Sequence, residues 1–144
     1  LVPLEQGQYT MPSALFYQRK MAKPFLGREA IDLFFQGKEG RFMRSLKRVL
    51  GTSLMQSGTV VNGKVMKFED IIAVLLQHVK QQAEQMIGEE INHVVMGRPV
   101  HFIDNDPAGD RRAQQELENI ARKIGFQHIH FQLEPIAAAF AHEV

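Results

Sequence analysis

The sequence has no cysteine, and its 17 Lys and Arg against 16 Asp and Glu leave a net charge of only +1. Without cysteine there is no disulfide framework, no thiolate zinc site and no cysteine nucleophile, and a reducing, cytoplasmic setting fits. The near-neutral balance removes the dense basic face that nucleic-acid binding needs. No apolar run reaches the roughly 18 residues of a membrane-spanning helix, so neither nucleic acid nor membrane is an expected partner. The first residues, Leu1-Val2-Pro3-Leu4-Glu5, carry neither an initiator methionine nor the basic head of a signal peptide. Internal repeats and low-complexity tracts are also lacking. What remains is 144 residues, 44% hydrophobic and 23% charged, the size and mix of one soluble globular domain.

Hydrophobic spacing and turn residues divide the chain into elements. Ala14-Leu15-Phe16-Tyr17 reads as a strand, followed by a basic connector over 18–23. Ala30, Ile31, Leu33 and Phe34 crowd one side of a helix over 27–36. A second, strongly basic helix is expected over 40–50, with Arg41, Arg44, Lys47 and Arg48, closing at Gly51. Residues 59–66 read as a β-hairpin, because Asn62-Gly63 accepts the positive φ values of a two-residue type I′ turn. A long helix over 69–87 should bury Ile72, Leu75, Leu76, Val79, Ala83, Met86 and Ile87 and stop at Gly88. A buried strand is expected over 91–96, broken by Gly97 and Pro99. Asp110 is the expected N-cap of a helix over 111–124, and His128 to Phe131 the next strand. Strand, helix, strand over 91–131 is a βαβ unit, so its strands should be parallel with a right-handed crossover. The class is therefore α/β. Pro135 starts a last helix whose apolar run reaches Val144 without a stop signal, which suggests a piece of something longer.

Several patterns invite functional readings. Gly58 to Val65 matches a phosphate-binding P-loop except that Val65 replaces the magnesium-holding Ser or Thr, and a hairpin turn is the wrong context. Asp104 to Asp110 begins like a calcium loop, but Ala108 and Gln115 stand where oxygen ligands belong. His128 and His130 share one strand face, yet no third ligand is tied to them by motif. No Gly-x-Ser-x-Gly elbow is present. The basic stretch 41–48 has phosphate contact and a solvated face as its two readings, and the solvated face is favoured. Glu134 follows a strand and precedes a Pro-started helix. That is the carboxyl end of a parallel strand, where ligands bind in open α/β sheets. It is equally the place for an acidic helix cap.

Beyond chemistry, the order of short motifs is informative. Val94 to Phe102, then Ile124-Gly125-Phe126, then Glu134-Pro135-Ile136-Ala137-Ala138-Ala139 resemble successive segments in the ATPase domain of the seventy-kilodalton heat-shock chaperones, the DnaK family. Thr10-Met11-Pro12-Ser13 and Lys47-Arg48-Val49-Leu50-Gly51 are similar to earlier segments of the same domain, and Gly97-Arg98-Pro99 resembles its divergent, YegD-like branch. The resemblance implies part of an actin-like, ribonuclease-H-like ATPase lobe with a mixed sheet flanked by helices. It would span 1–144 as a first lobe truncated at both ends. ATP or ADP and Mg2+ are the implied ligands of the intact protein, with the 144-residue piece binding nucleotide weakly or not at all. Unfolded clients and co-chaperones are the implied partners, through regions outside this chain. By the same resemblance Glu134 is the catalytic carboxylate, acting on the metal through magnesium-bound water. Pro99 is the proline that switches between nucleotide states, and Arg111 or Arg112 the arginine coupled to it.

Three departures stand against this. Ile31 occupies the position of a catalytic lysine in the segment Gly27-Arg28-Glu29-Ala30, Ile136 replaces the usual Thr, and no Asp-x-Gly-Thr phosphate loop is present. They motivate an alternative, a non-catalytic actin-like scaffold whose nucleotide chemistry has decayed. A third reading, a self-contained small α/β ligand-binding domain, requires a closed sheet and a capped final helix.

Overall fold

The computed structural model describes residues 1–142. The first strand, β1 (Ala14–Gln18), is covered on both faces. Leu15 and Tyr17 join the main core, while Ala14 and Phe16 join a smaller cluster around Ala30, as the two-residue period of a strand requires. β2 (Phe25–Leu26) and β3 (Gly40–Arg44) flank β1, both antiparallel. Between them α1 (Gly27–Phe35) lies over the smaller cluster. Its start is fixed by the Glu5 carboxylate, which accepts from the Arg28 amide at 3.0 Å and from the Arg28 guanidinium at 2.7 Å. An anion there also complements the positive end of the helix.

The basic helix expected over 40–50 is instead β3 followed by a single 3-10 turn, Leu46–Val49. Phe42 and Met43 have separate duties. Met43 is buried in the main core, and Phe42 stacks on Phe34 on the other face at 4.4 Å. A helix would forfeit the five-residue ladder from Ala14↔Arg44 to Gln18↔Gly40. Ser45, at φ +56, ends the strand and turns the chain so that Leu46 and Leu50 enter the core.

The hairpin forms as expected: β4 (Gly58–Val61) and β5 (Lys64–Lys67) join through Asn62 and Gly63 at φ +50 and +79. The P-loop pattern is therefore a turn. α2 (Phe68–Ile87) follows and closes at Gly88, φ +84. Its burial differs from the sequence expectation. Ile71, Ile72, Ala73 and Leu75 are buried in its first half, whereas Val79, Met86 and Ile87 are exposed. The second half is instead anchored by Lys80, which donates to Glu84 at 2.6 Å and lies over the Phe126 ring.

β6 (His93–Arg98), α3 (Pro107–Lys123) and β7 (His128–Leu133) make the expected βαβ unit. The strands are parallel, in register from His93↔His128 to Arg98↔Leu133. Two boundaries move. β6 continues through Gly97 to Arg98 and is half-covered, with His93, Val95 and Gly97 exposed. α3 begins four residues before Arg111, because Pro107 suits its first position and the Asp106 side chain accepts from the Gly109 amide. Asp110 thus lies in the first turn and is not the cap. α4 (Glu134–His142) completes the described chain, and the expected run to Val144 falls partly outside it.

The α/β class holds, with the strands among the described residues divided among three small sheets: β2-β1-β3, the β4-β5 hairpin and the β6-β7 pair. The core that unites them is built from Leu15, Leu50, Ile71, Leu117 and Ile120.

Candidate functional site

The parallel register of β6 and β7 brings their carboxyl ends side by side, so that Pro99 leaves one strand as Glu134 leaves the other. Glu134 opens α4, so its two sequence readings, helix-start acid and strand-end carboxylate, describe one place. Its side chain lies over Gly97, where an added Cβ would sit 3.3 Å from Glu134 Cγ. The 3-10 turn after β3 delivers Lys47 to the same point, and its Nζ donates to Glu134 Oε1 at 2.7 Å. Both side chains remain about half exposed, 59% for Lys47 and 46% for Glu134. Beside the pair is a largely apolar groove of about 300 Å³, with Ser13, Lys47 and Gly97 among its lining residues. Chemically this is a solvent-reachable carboxylate with a cation beside it.

The donor set decides what the edge can hold. Among the described residues there is no group of three His, Asp or Glu side chains able to hold a metal ion. Glu134 alone does not make a direct metal site; its carboxylate fits the acceptor of a hydrogen bond from a water that a metal carries. The histidines do not change this. His93 and His128 meet edge to face at 4.2 Å on an exposed strand face, without a third ligand.

Pro99 is held from its own strand. The guanidinium of Arg98 donates to the carbonyls of Pro99 and Val100, at 3.0 and 3.2 Å, and to both Asp110 oxygens at 2.8 Å. Asp110 also accepts from the Phe102 amide at 2.7 Å. The Arg98 hydrogen bond, and next the Phe102 amide, hold the Asp110 carboxyl below the usual range. In contrast, burial pushes the Glu116 carboxyl up; Oε1 accepts from the Gly51 amide at 3.0 Å while Oε2 is buried without a partner.

Comparison with known proteins gives the family. The sequence model of the Hsp70 protein family matches residues 2–143. This chain belongs to the Hsp70 family. It is 40% identical over 98 residues to the chaperone protein DnaK of Mycoplasmopsis agalactiae, covering 67% of this chain and 14% of that protein. It is 36% identical over 98 residues to DnaK of Mycoplasmopsis pulmonis, with the same coverage. Against DnaK of Thermosipho africanus the identity is 29% over 142 residues, 99% of this chain and 22% of that protein. The chain thus spans less than a quarter of the length of these relatives.

Within this Hsp70 chain, the residues named by resemblance do not all meet. Glu134 and Pro99 share one strand edge. Arg111 and Arg112 are exposed, and Arg112 donates to the Gly51 carbonyl at 3.3 Å and lies 4.0 Å from Asp106. The side chain that grips Pro99 is Arg98. Ile31 is half-buried on α1, packed against the Ala14, Phe16 and Ala30 cluster. Sequence reasoning missed both Lys47 and Arg98. The basic residues around Lys47 point to a solvated helix, and its partner lies 87 residues away. For Arg98 the one available signal was its position directly before a proline and after a glycine at the end of a strand.

Proposed function

We propose that residues 1–144 are part of the first lobe of a DnaK-like chaperone ATPase domain, which in the intact protein binds and hydrolyses ATP to drive a conformational change. The observation that carries this reading is the half-exposed Glu134 carboxylate at the joined carboxyl ends of β6 and β7, seated on Gly97 and bonded to Lys47. Mg2+, when bound, supplies positive charge against the transferring phosphate. Glu134 would accept a hydrogen bond from a water carried by that ion and so orient it. Lys47 holds the carboxylate in place, and because the pair is exposed it is easily exchanged for another partner. Pro99, at the neighbouring strand end, is the residue that changes conformation with the nucleotide. The setting is the cytoplasm, and unfolded clients and co-chaperones act through regions outside this chain.

The alternative, a scaffold with decayed nucleotide chemistry, is supported by Ile31 at the expected lysine position. Glu134→Gln in the intact protein separates the two, since it removes the charge and little volume. Single-turnover ATP hydrolysis should slow by about tenfold, the loss of one charge-assisted hydrogen bond of about 1.4 kcal/mol in the transition state, with stability lowered by no more than the exposed Lys47 pair contributes, about 0.2–1 kcal/mol. Undiminished turnover reduces Glu134 to a helix-start residue. A wild-type protein with no turnover at all establishes the scaffold.

A further inference from the structure

The near-zero net charge hides an uneven division. Residues 1–68 carry eleven Lys and Arg against four Asp and Glu, and residues 69–144 carry six against twelve. Among the described residues, only Arg19, Arg28 and Lys47 of the basic half pair with a carboxylate. Arg41 and Arg44 are exposed on β3, where Arg41 donates to the Thr59 hydroxyl at 3.1 Å. Neither meets an acidic side chain among the described residues.

β3 lies at an edge of its sheet, laddered to β1 alone, and the β4-β5 hairpin does not continue it. The Arg19 amide donates to the Glu39 carbonyl at 2.9 Å, one step beyond the Gln18↔Gly40 pair. Bonded pairs alternate along an antiparallel ladder, so Arg41 and Met43 turn their backbone groups to β1. Gly40, Phe42 and Arg44 turn theirs outward, and among the described residues no partner meets them. Phe42 also begins an uncovered aromatic surface. It stacks on Phe34, which is 47% exposed, and Phe34 meets the 78% exposed Phe35 edge to face at 5.6 Å. An open strand edge is a hazard unless it is guarded or used. Pairing two copies of this edge would bring the arginines of both together, which charge opposes. The complementary occupant is acidic.

We propose that β3 accepts an extended acidic segment of a partner protein as an added antiparallel strand. Opposite Arg44 and Arg41, three positions apart, the segment carries Asp or Glu. Opposite Phe42 it carries an apolar residue, on the face of the exposed phenyl rings. The backbone ladder supplies the affinity, and the two arginines select the sequence. A nucleic acid meets the arginines equally well but has no row of amides to pair with Phe42. The inference is independent of the reading of Glu134.

The probe is a fluorescein-labelled peptide, Ser-Glu-Thr-Val-Glu-Val-Ser, whose first Val falls opposite Phe42 and whose two Glu fall opposite Arg44 and Arg41. It is titrated into the 144-residue chain by anisotropy, and exchange of the Phe42 amide is followed by NMR. Binding should saturate at one peptide per chain and slow that exchange. Lys in place of both peptide Glu, or Arg44→Glu in the chain, should weaken binding at least about fivefold, the upper range for an exposed ion pair. N-methylation of the two Val amides keeps the charge but removes ladder donors, and should weaken binding about tenfold or more. Because the peptide changes leave the chain untouched, the test stands even if Arg44→Glu does not fold. Absence of binding up to about 1 mM overturns the proposal, and is the result expected of arginines that only guard the edge. Equal binding of the N-methylated peptide overturns it too. So does oligothymidylate binding as tightly as the peptide, which would reveal a surface that reads charge alone.

Discussion

Gly97→Ala probes the site without touching either charged partner. The new methyl would lie 3.3 Å from Glu134 Cγ, 3.6 Å from Oε1 and 3.9 Å from Cδ. Gly97 is not among the residues with positive φ, so alanine fits the strand backbone and restricts the unfolded chain, a gain of about 0.4–1 kcal/mol. The contact with Cγ requires a shift of a few tenths of an ångström. Glu134 is half exposed and flexible, so its side chain moves and the strand does not. The loss is then the Lys47–Glu134 pair, about 0.2–1 kcal/mol for partners this exposed. Gain and loss nearly cancel, and the net change in stability should lie within about 0.5 kcal/mol of zero. Function should respond differently, because the displaced carboxylate no longer faces Lys47. Urea denaturation of the chain measures the first effect, and single-turnover hydrolysis by the intact protein the second. The expected signature is unchanged stability with turnover slowed as in Glu134→Gln. A stability loss above about 2 kcal/mol would show that Glu134 is rigidly fixed, against the flexibility assumed. Unchanged turnover would show that Gly97 does not position it.

Gly51→Ala should behave in the opposite way, because Gly51 has φ +76 and an added Cβ meets the Gly109 carbonyl at 2.5 Å, a backbone atom of α3 that has nowhere to go. Left-handed strain of about 1–2 kcal/mol plus this overlap should cost at least about 2–3 kcal/mol, read from the urea midpoint; a loss under about 1 kcal/mol refutes the packing of α3 on this turn. The Asp110 carboxyl, held low in the folded chain by Arg98 and the Phe102 amide, contributes stability that is present above its unfolded value of about 3.9 and lost as pH falls through its lower folded value. Urea midpoints should therefore drop below about pH 4 in the wild type and drop less in Asp110→Asn; parallel curves for the two proteins refute the assignment.

What was legible in the sequence was mostly local. Asn62-Gly63 and Gly88 act through their own backbone preferences, and the hairpin and the end of α2 follow from them, whereas Asp110 read as a cap puts the start of α3 four residues too late. Glu134 was legible too, because a carboxylate between a strand and a Pro-started helix has one place to be. The segment from Gly40 to Leu50 was not: its four basic residues suggested a solvated helix, while its fold depends on Phe42 and Met43 packing to opposite sides of β1, a partner some 26 residues earlier by register. Periodicity in α2 identified an apolar stripe but not what covers it, so Val79, Met86 and Ile87 were assigned to a core they do not reach. Lys47 and Arg98 lay beyond sequence reasoning for the same reason. The partner of Lys47 lies 87 residues away and that of Arg98 across the turn into α3, and nothing in a lysine or an arginine announces which carboxylate it will meet.

Ile31 illustrates how far one substitution can be read. Taken alone, an apolar residue at the expected lysine position favours a scaffold with lost chemistry. In the structure Ile31 packs around Ala14, Phe16 and Ala30, on the face of β1 opposite Leu15 and Tyr17. An ammonium at that apolar cluster would have to extend out of it to avoid the cost of desolvation. The cation that actually meets Glu134 comes from a different element, the 3-10 turn after β3. The loss of charge at 31 therefore does not leave the carboxylate without a positive neighbour, and the case for decay cannot rest on that position. Lys47 is the residue whose removal bears on it.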